Sequence, residues 1–239
     1  EIENAFKAGQ LSADEAQRQI KERVGKVSAY HVAYIEQTMT EETSDECIRE
    51  DVHAVINMLG DQIDNTMPNL PADHPIMHYL KENEEMKRLL LAVEDLVQYP
   101  MIKNQWLELY DQISQYPLHY KRKQNQLYPV LEQKGFTRPT TTMWTFDDMV
   151  RDEIREAERL LREDNEDAFI KQQERVLLYA RDLMEKEEFI LYPTSMALIS
   201  EEEFDEMKSG DLEIGFAFFK VEHRPTENKE EASAKVQDG

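Results

Sequence analysis

Apolar residues in this chain recur at the three- and four-residue spacing of amphipathic helices and almost nowhere at the alternate spacing of a strand. From the N-terminus the pattern predicts three short helices with clear punctuation. Ser12 caps one that runs from Ala13 to Val24 and stops at Gly25, and Ser28 caps a second over Ala29 to Met39. Ser44 caps a third, in which Cys47, Val52, Val55, Ile56 and Leu59 fall at helical spacing before Gly60. Asn65 to His74, with Pro68 and Pro71, reads as a loop and marks a domain boundary. Four long helical stretches follow, about 75–98, 101–134, 145–163 and 166–190, with short connections, which is the pattern of a helical bundle.

Pro117 and Pro129 interrupt the second stretch. Each removes a backbone donor and would cost about 3 kcal/mol in a regular helix interior, so kinks or breaks are expected there. Gly135 to Thr142 reads as the loop between the two halves. Ser200-Glu201-Glu202-Glu203 opens a last short helix ending near Gly210, Ile214 to Phe219 looks extended, and Glu227 to Gly239 is polar enough to be disordered. The resulting division is an N-terminal helical domain over 1–65, a bundle over 72–200, a C-terminal helix and extended segment over 201–223, and a tail over 224–239.

One phrase occurs twice: Gln124-Asn125-Gln126-Leu127-Tyr128-Pro129 and Glu188-Phe189-Ile190-Leu191-Tyr192-Pro193. Two copies imply two equivalent helices. Aligned on their prolines, His119 falls opposite Leu183, Lys123 opposite Glu187 and Gln124 opposite Glu188. A bundle that binds two metal ions through paired motifs needs a His and a carboxylate one turn apart in both copies, because such residues share a helix face. Each copy here keeps about half of that set.

Composition narrows the classes. The chain has 239 residues, 40% hydrophobic and 33% charged with only 7 Gly, which fits an all-α protein with one good core and a small helical appendage. The formal net charge of -22, from 28 Lys+Arg against 50 Asp+Glu, would repel nucleic acid and anionic membrane surfaces. A single cysteine, Cys47, excludes an intramolecular disulfide framework or a Cys-rich zinc site and fits a reducing cytoplasm. No apolar run approaches the roughly 18 to 20 residues that span a bilayer. Because the chain begins at Glu1, it reads as trimmed or cut from a longer product.

The candidate ligands are few. His74, His78 and Glu82 lie on successive turns at the start of the first long helix, with Pro75 in its first turn, and imidazole with carboxylate suits iron, manganese or zinc. Their structural reading is a cap, a packed ring and a solvated acid. His119 has a cation, Lys123, one turn later, and a lysine beside a dication is electrostatically wrong. Asp147 and Asp148 open the third helix, where acidic residues are also favoured by the helix dipole. Glu187 and Glu188 stand in register with the repeated phrase, although in so acidic a chain a Glu pair is usually solvated. Trp106, Trp144, the Tyr-Pro pairs and the methionines read as core or boundary residues. There is no Gly-rich phosphate loop, Cys-xx-Cys or nucleophile phrase, so an enzymatic role is not expected.

The segments Asp73-His74-Pro75 to Glu82-Asn83, His119-Tyr120 to Leu127-Tyr128-Pro129, Met143-Trp144 to Arg151, and Lys186-Glu187-Glu188 to Leu191-Tyr192-Pro193 together resemble a hemerythrin-like (HHE cation-binding) domain. Within that superfamily the chain is most similar to bacterial proteins with a small N-terminal helical domain of unknown function. Longer relatives often continue into a PAS sensor domain, and this chain stops where one would begin. The resemblance implies an up-down-up-down four-helix bundle that, in active relatives, holds a di-iron centre used to bind or sense oxygen or nitric oxide or to help repair iron centres. This sequence departs from the pattern: Asn83 stands where a Glu-His pair is usual, Lys123 and Gln124 where carboxylates are expected, Asp147 near an expected His, and Leu183 opposite His119.

Two readings follow. The preferred one is a cytoplasmic regulatory or sensory module with an eroded di-iron site, acting through a protein partner or a downstream sensor domain. The alternative is a working non-haem iron protein, with a single iron or an unusual pair held by His74, His78, Glu82, His119, Asp147 and Glu187, that binds or senses oxygen or nitric oxide. Haem ligation by His119 or His78 is a third and weaker reading. Neither nucleic acid nor a membrane is expected as a partner, and the oligomeric state is not legible.

Overall fold

The computed structural model of the chain describes residues 2–23, 25–38 and 45–221. The N-terminal part contains α1 (Ile2–Lys7), α2 (Ala13–Arg23), α3 (Ala29–Thr38) and α4 (Asp45–Leu59). Ser12 Oγ accepts from the Glu15 amide at 3.2 Å and Ser28 Oγ from the His31 amide at 3.4 Å, as capping serines do. The expected cap Ser44, the helix ends at Val24 and Met39, and the tail beyond 221 lie outside the described residues, as does the Cys47 side chain. Two-residue strands, Val27–Ser28 and Ile63–Asp64, pair in parallel and tie the connection between α2 and α3 to the stretch that follows α4. Ala16, Ile20 and Met58 form its own small core, while α3 and α4 also pack on the bundle.

The four expected bundle helices are present with altered boundaries. The first is α5 (Pro75–Leu96). The second is a composite of α6 (Lys103–Ile113), α7 (Pro117–Arg122), a π-helical turn over Lys123–Leu127 and α8 (Tyr128–Gln133). The third, α9 (Thr137–Arg162), starts where a loop is expected from the sequence. Pro139 falls in its first turn, where no intrahelical N–H is required, so a proline there is compatible with the start of a helix. The fourth is α10 (Glu166–Lys186), a π turn over Glu187–Leu191 and α11 (Tyr192–Leu198). Each neighbour packs on the next, α5 on α6, α6 on α9, α9 on α10 and α10 back on α5, which closes the ring of a four-helix bundle.

The two π turns stand immediately before the two Tyr-Pro pairs. Proline cannot donate to the carbonyl four residues earlier and its ring collides with that carbonyl in regular helix. Asn125 and Phe189 hold those positions, and both lie inside a π turn, where the wider helix relieves the collision. The chain therefore continues through both prolines as helix, and Tyr128 and Tyr192 are fully buried.

After α11, Ser200 and Glu203 form a reciprocal capping box that starts α12 (Glu201–Ile214). This helix passes the expected stop at Gly210 and ends at Gly215, whose φ of 95° and ψ of -179° suit glycine alone. Residues 216–219 then lie against the bundle, with the Phe216 ring on His78 and the Phe218 ring on Tyr116. Trp144, expected at the core or its boundary, is 39% exposed. No helix among the described residues is long and apolar enough to cross a membrane.

Candidate functional site

The buried face of α5 carries Ile76, Tyr79, Met86, Leu89, Leu90 and Val93, an apolar stripe broken by His78, Glu82 and Asn83. The other bundle helices are broken at the same level. The second places His119, Arg122 and Lys123 in its core, the third Asp147 between Phe146 and Val150, and the fourth Glu187. Glu82, His119, Arg122, Lys123, Asp147 and Glu187 are all 0% exposed and form one polar layer across the bundle. An unpaired ion here would cost several kcal/mol, so each must find partners inside the layer.

Those partners are specific. His119 bridges two carboxylates, Nδ1 to Glu82 Oε2 at 2.8 Å and Nε2 to Glu187 Oε1 at 3.1 Å. Arg122 donates to both Glu82 oxygens at 2.8 Å, and the Ala217 amide donates to Glu82 Oε1 at 2.7 Å. The Lys123 ammonium donates to Asp147 Oδ1 at 2.5 Å and also to Glu187 Oε1. Tyr128 donates its hydroxyl to Asp147 Oδ2 at 2.8 Å. Asn83 donates to Glu187 Oε2 at 2.8 Å and accepts from the Tyr116 hydroxyl at 2.7 Å. Lys123 and Glu187 are the equivalent positions of the repeated phrase, so the two π turns meet through an ion pair between their first residues.

The protonation pattern follows from these contacts. Burial alone would raise the Glu82 carboxyl, but bonds from His119 and Arg122 hold it down at about 2. Glu187 is likewise lowered against its burial by the charges of Lys123 and His119. Burial disfavours the His119 imidazolium, yet Glu187 and Glu82 on its two sides raise its pKa. Asp147 goes the other way, because burial and the nearby Glu187 charge outweigh Lys123 and lift it to about 6. Asp211 on α12, 3.6 Å from Arg122 Nε, is raised to about 7 by burial.

Of the six residues singled out as ligands from the sequence, Glu82, His119, Asp147 and Glu187 converge. His74 and His78 stand apart from them. His74 is the N-cap of α5, its Nδ1 accepting from the Ile76 amide at 3.2 Å, and its ring lies on Phe204. His78 is enclosed by Phe216 and Phe219, and burial together with the Arg122 charge lowers its pKa to about 4. Among the described residues neither imidazole bonds to the layer. Arg122 escaped the sequence reading because it sits in the surface-like run Lys121-Arg122-Lys123. The usable signal was its position three residues after His119, which puts both on one helix face. The closure by Gly215 to Phe219 was not legible, since a contact from more than 130 residues away leaves no local pattern, as with Ala217 and Glu82, 135 apart.

Residues 74–195 match the hemerythrin HHE cation binding domain. The chain belongs to that family. No curated protein matches the chain. The hemerythrin-type region spans all four bundle helices and ends before α12, so the segment that covers Glu82 and Arg122 lies outside the matched region.

The family is a cation-binding one, and the convergent Glu82, His119, Asp147 and Glu187 are the residue types that bind iron-class metals. As arranged, they do not fit a metal pair. Both Glu82 oxygens face Arg122, the Lys123 ammonium bridges Asp147 and Glu187, and both His119 nitrogens face carboxylates. A dication in this layer would meet two fixed cations, and roughly seven protein ligands would be wanted for two ions. Among the described residues, one further His-carboxylate group stands close enough to share an ion: His53 on α4 with Asp182 and Glu185 on α10, ligand atoms within 4.8 Å of one another. There too a lysine, Lys186, already bonds Asp182.

Proposed function

We propose that this hemerythrin-family bundle replaces the metal centre with internal cations and serves as a non-enzymatic regulatory or interaction module. The observation that carries this reading is the buried Lys123 ammonium shared by Asp147 and Glu187. A lysine at this point supplies positive charge to carboxylates that could otherwise hold a metal, and Arg122 and protonated His119 do the same for Glu82. Three cations and three carboxylates then balance without an ion from solution. A bundle held in this way is poised to present its surface to a protein partner or a downstream domain.

The second reading, a working iron protein that binds or senses oxygen or nitric oxide, draws on the same convergence of Glu82, His119, Asp147 and Glu187 in a cation-binding family. Metal content per chain separates the two, measured by plasma mass spectrometry on protein purified without chelator or metal-affinity tag, with an absorption spectrum alongside. Substoichiometric metal and a featureless near-ultraviolet spectrum are expected for the native chain. Stoichiometric iron with charge-transfer bands, lost in His119→Ala, would establish the second reading instead. Lys123→Glu restores the carboxylate of the other repeat copy and is expected to raise bound divalent metal relative to the native chain.

A further inference from the structure

Away from the polar layer, where the N-terminal helices meet the bundle, lies a cavity of about 560 Å³. That is within the range of roughly 300–1,000 Å³ found for small-molecule sites. Its walls are mostly hydrocarbon, with Val32 and Ala33 of α3, Val55 and Met58 of α4, and Met143 and Phe146 of α9, and they include Lys186 and a few threonines. Exposed Arg23 and Ile35 mark where it meets solvent. Space lined in this way is poorly hydrated and favours an apolar occupant.

One acid interrupts the apolar lining. Glu36 on α3 lines the cavity, and its buried Oε1 has no hydrogen-bond partner among the described residues. Thr142 of α9 bonds the same carboxyl. Burial raises the Glu36 pKa against the pull of Thr142, Arg138 and Lys186, so the carboxyl is less charged than an exposed one at the same pH. A buried acceptor without a donor is costly, and a ligand that supplies the donor gains what the folded chain lacks.

We propose that this cavity binds a neutral, largely hydrocarbon molecule with one hydroxyl group, of the long-chain alcohol class, whose hydroxyl donates to Glu36 Oε1. A plain hydrocarbon would leave Oε1 unsatisfied. A fatty carboxylate would bring a second acid against the Glu36 carboxyl in a low-dielectric wall whose cation, Lys186, is already bonded to Asp182. The occupant touches α3, α4 and α9 together, so binding couples the N-terminal helices to the bundle. This site is independent of whether the polar layer holds metal.

The test uses the full chain with 1-tetradecanol, tetradecanoic acid and tetradecane, binding being read by native mass spectrometry and by the shift of the thermal midpoint. The alcohol should bind saturably at one molecule per chain and at least about tenfold more tightly than either comparator. Glu36→Leu should abolish the preference over the alkane, and Ala33→Phe, which fills the cavity, should abolish binding. A diazirine-bearing tetradecanol should label peptides of α3, α4 and α9 on irradiation, and this readout stands even if the filled variant fails to fold. Equal affinity for all three probes, tighter binding of the acid, absence of saturation, or labelling confined to other helices would each overturn the proposal.

Discussion

Lys123 and its two carboxylates are the point at which a single side chain decides most. Replacing it by methionine keeps volume and removes the charge, leaving Asp147 and Glu187 buried without their shared cation. Breaking a buried pair from one side costs about 3–5 kcal/mol, while replacing all its members by neutral groups costs much less. Lys123→Met should therefore lower the denaturation midpoint strongly, and Lys123→Met with Asp147→Asn and Glu187→Gln should recover a large part of the loss. Urea titrations of the native chain and the two variants check this, and a triple variant less stable than the single one would refute the ion-pair account. The lysine itself was readable as a departure from the repeat, because it aligns with Glu187. Its partner on α9 was not, because Asp147 and Asp148 both suited a helix N-terminus and only packing put one of them inside.

Among the elements, the π turns and the closing segment carry the arrangement. Each π turn absorbs one extra residue and so shifts the helix that follows, and the first residues of the two turns, Lys123 and Glu187, pair with one another ahead of Tyr128 and Tyr192. The prolines announced an irregularity, but whether the chain breaks or widens depends on what packs around it. Here the fully buried Tyr79, Tyr116, Tyr120, Tyr128 and Tyr192 and their neighbours hold it as helix. The closing segment depends on Gly215. Its φ and ψ lie in a region open only to glycine, and a Cβ built there meets no atom within 4 Å, so the cost of a side chain is backbone strain alone. Gly215→Ala should cost about 1–3 kcal/mol in chemical denaturation. It should also speed amide exchange at Ala217, whose N–H is bonded to Glu82. Unchanged exchange at Ala217 would mean that the segment is not held through this hinge. At the other end of α12, Ser200→Ala removes half of the capping box and should cost about 1 kcal/mol.

At the scale of the whole molecule, charge sets the response to pH. Glu82 and Glu187 have pKa values below the ordinary 4.5, so their stabilisation is present above that value and is lost as pH falls through the folded values. Asp147 and Asp211 are raised from 3.8 to about 6 and about 7, so the folded chain binds more protons than the unfolded one between those limits and stability falls as pH rises. The raised His119 adds to that fall above its ordinary 6.5, as its stabilisation is lost on deprotonation. Self-repulsion at a net charge of -22 works in the same direction. His78, lowered from 6.5 to about 4, opposes that fall between those two values, so the thermal midpoint should peak between pH 4.5 and 6.5 and decline toward pH 8, a profile checked by calorimetry; a maximum at pH 8 would contradict it. By itself the sequence determined the helical class, the four-helix count, the caps at Ser12, Ser28 and Ser200, the repeated Tyr-Pro phrase and the incomplete ligand pattern, because propensity, capping and periodicity act over one or two turns. Tertiary structure alone decided that Pro139 begins a helix, that both Tyr-Pro pairs continue one, that His74 and His78 leave the centre, and that Arg122, Lys123 and the 215–219 segment enter or cover it. The cause is physical: a buried charge is tolerable only where groups distant in the chain supply its counter-charge, and that pairing exists only once the helices have packed.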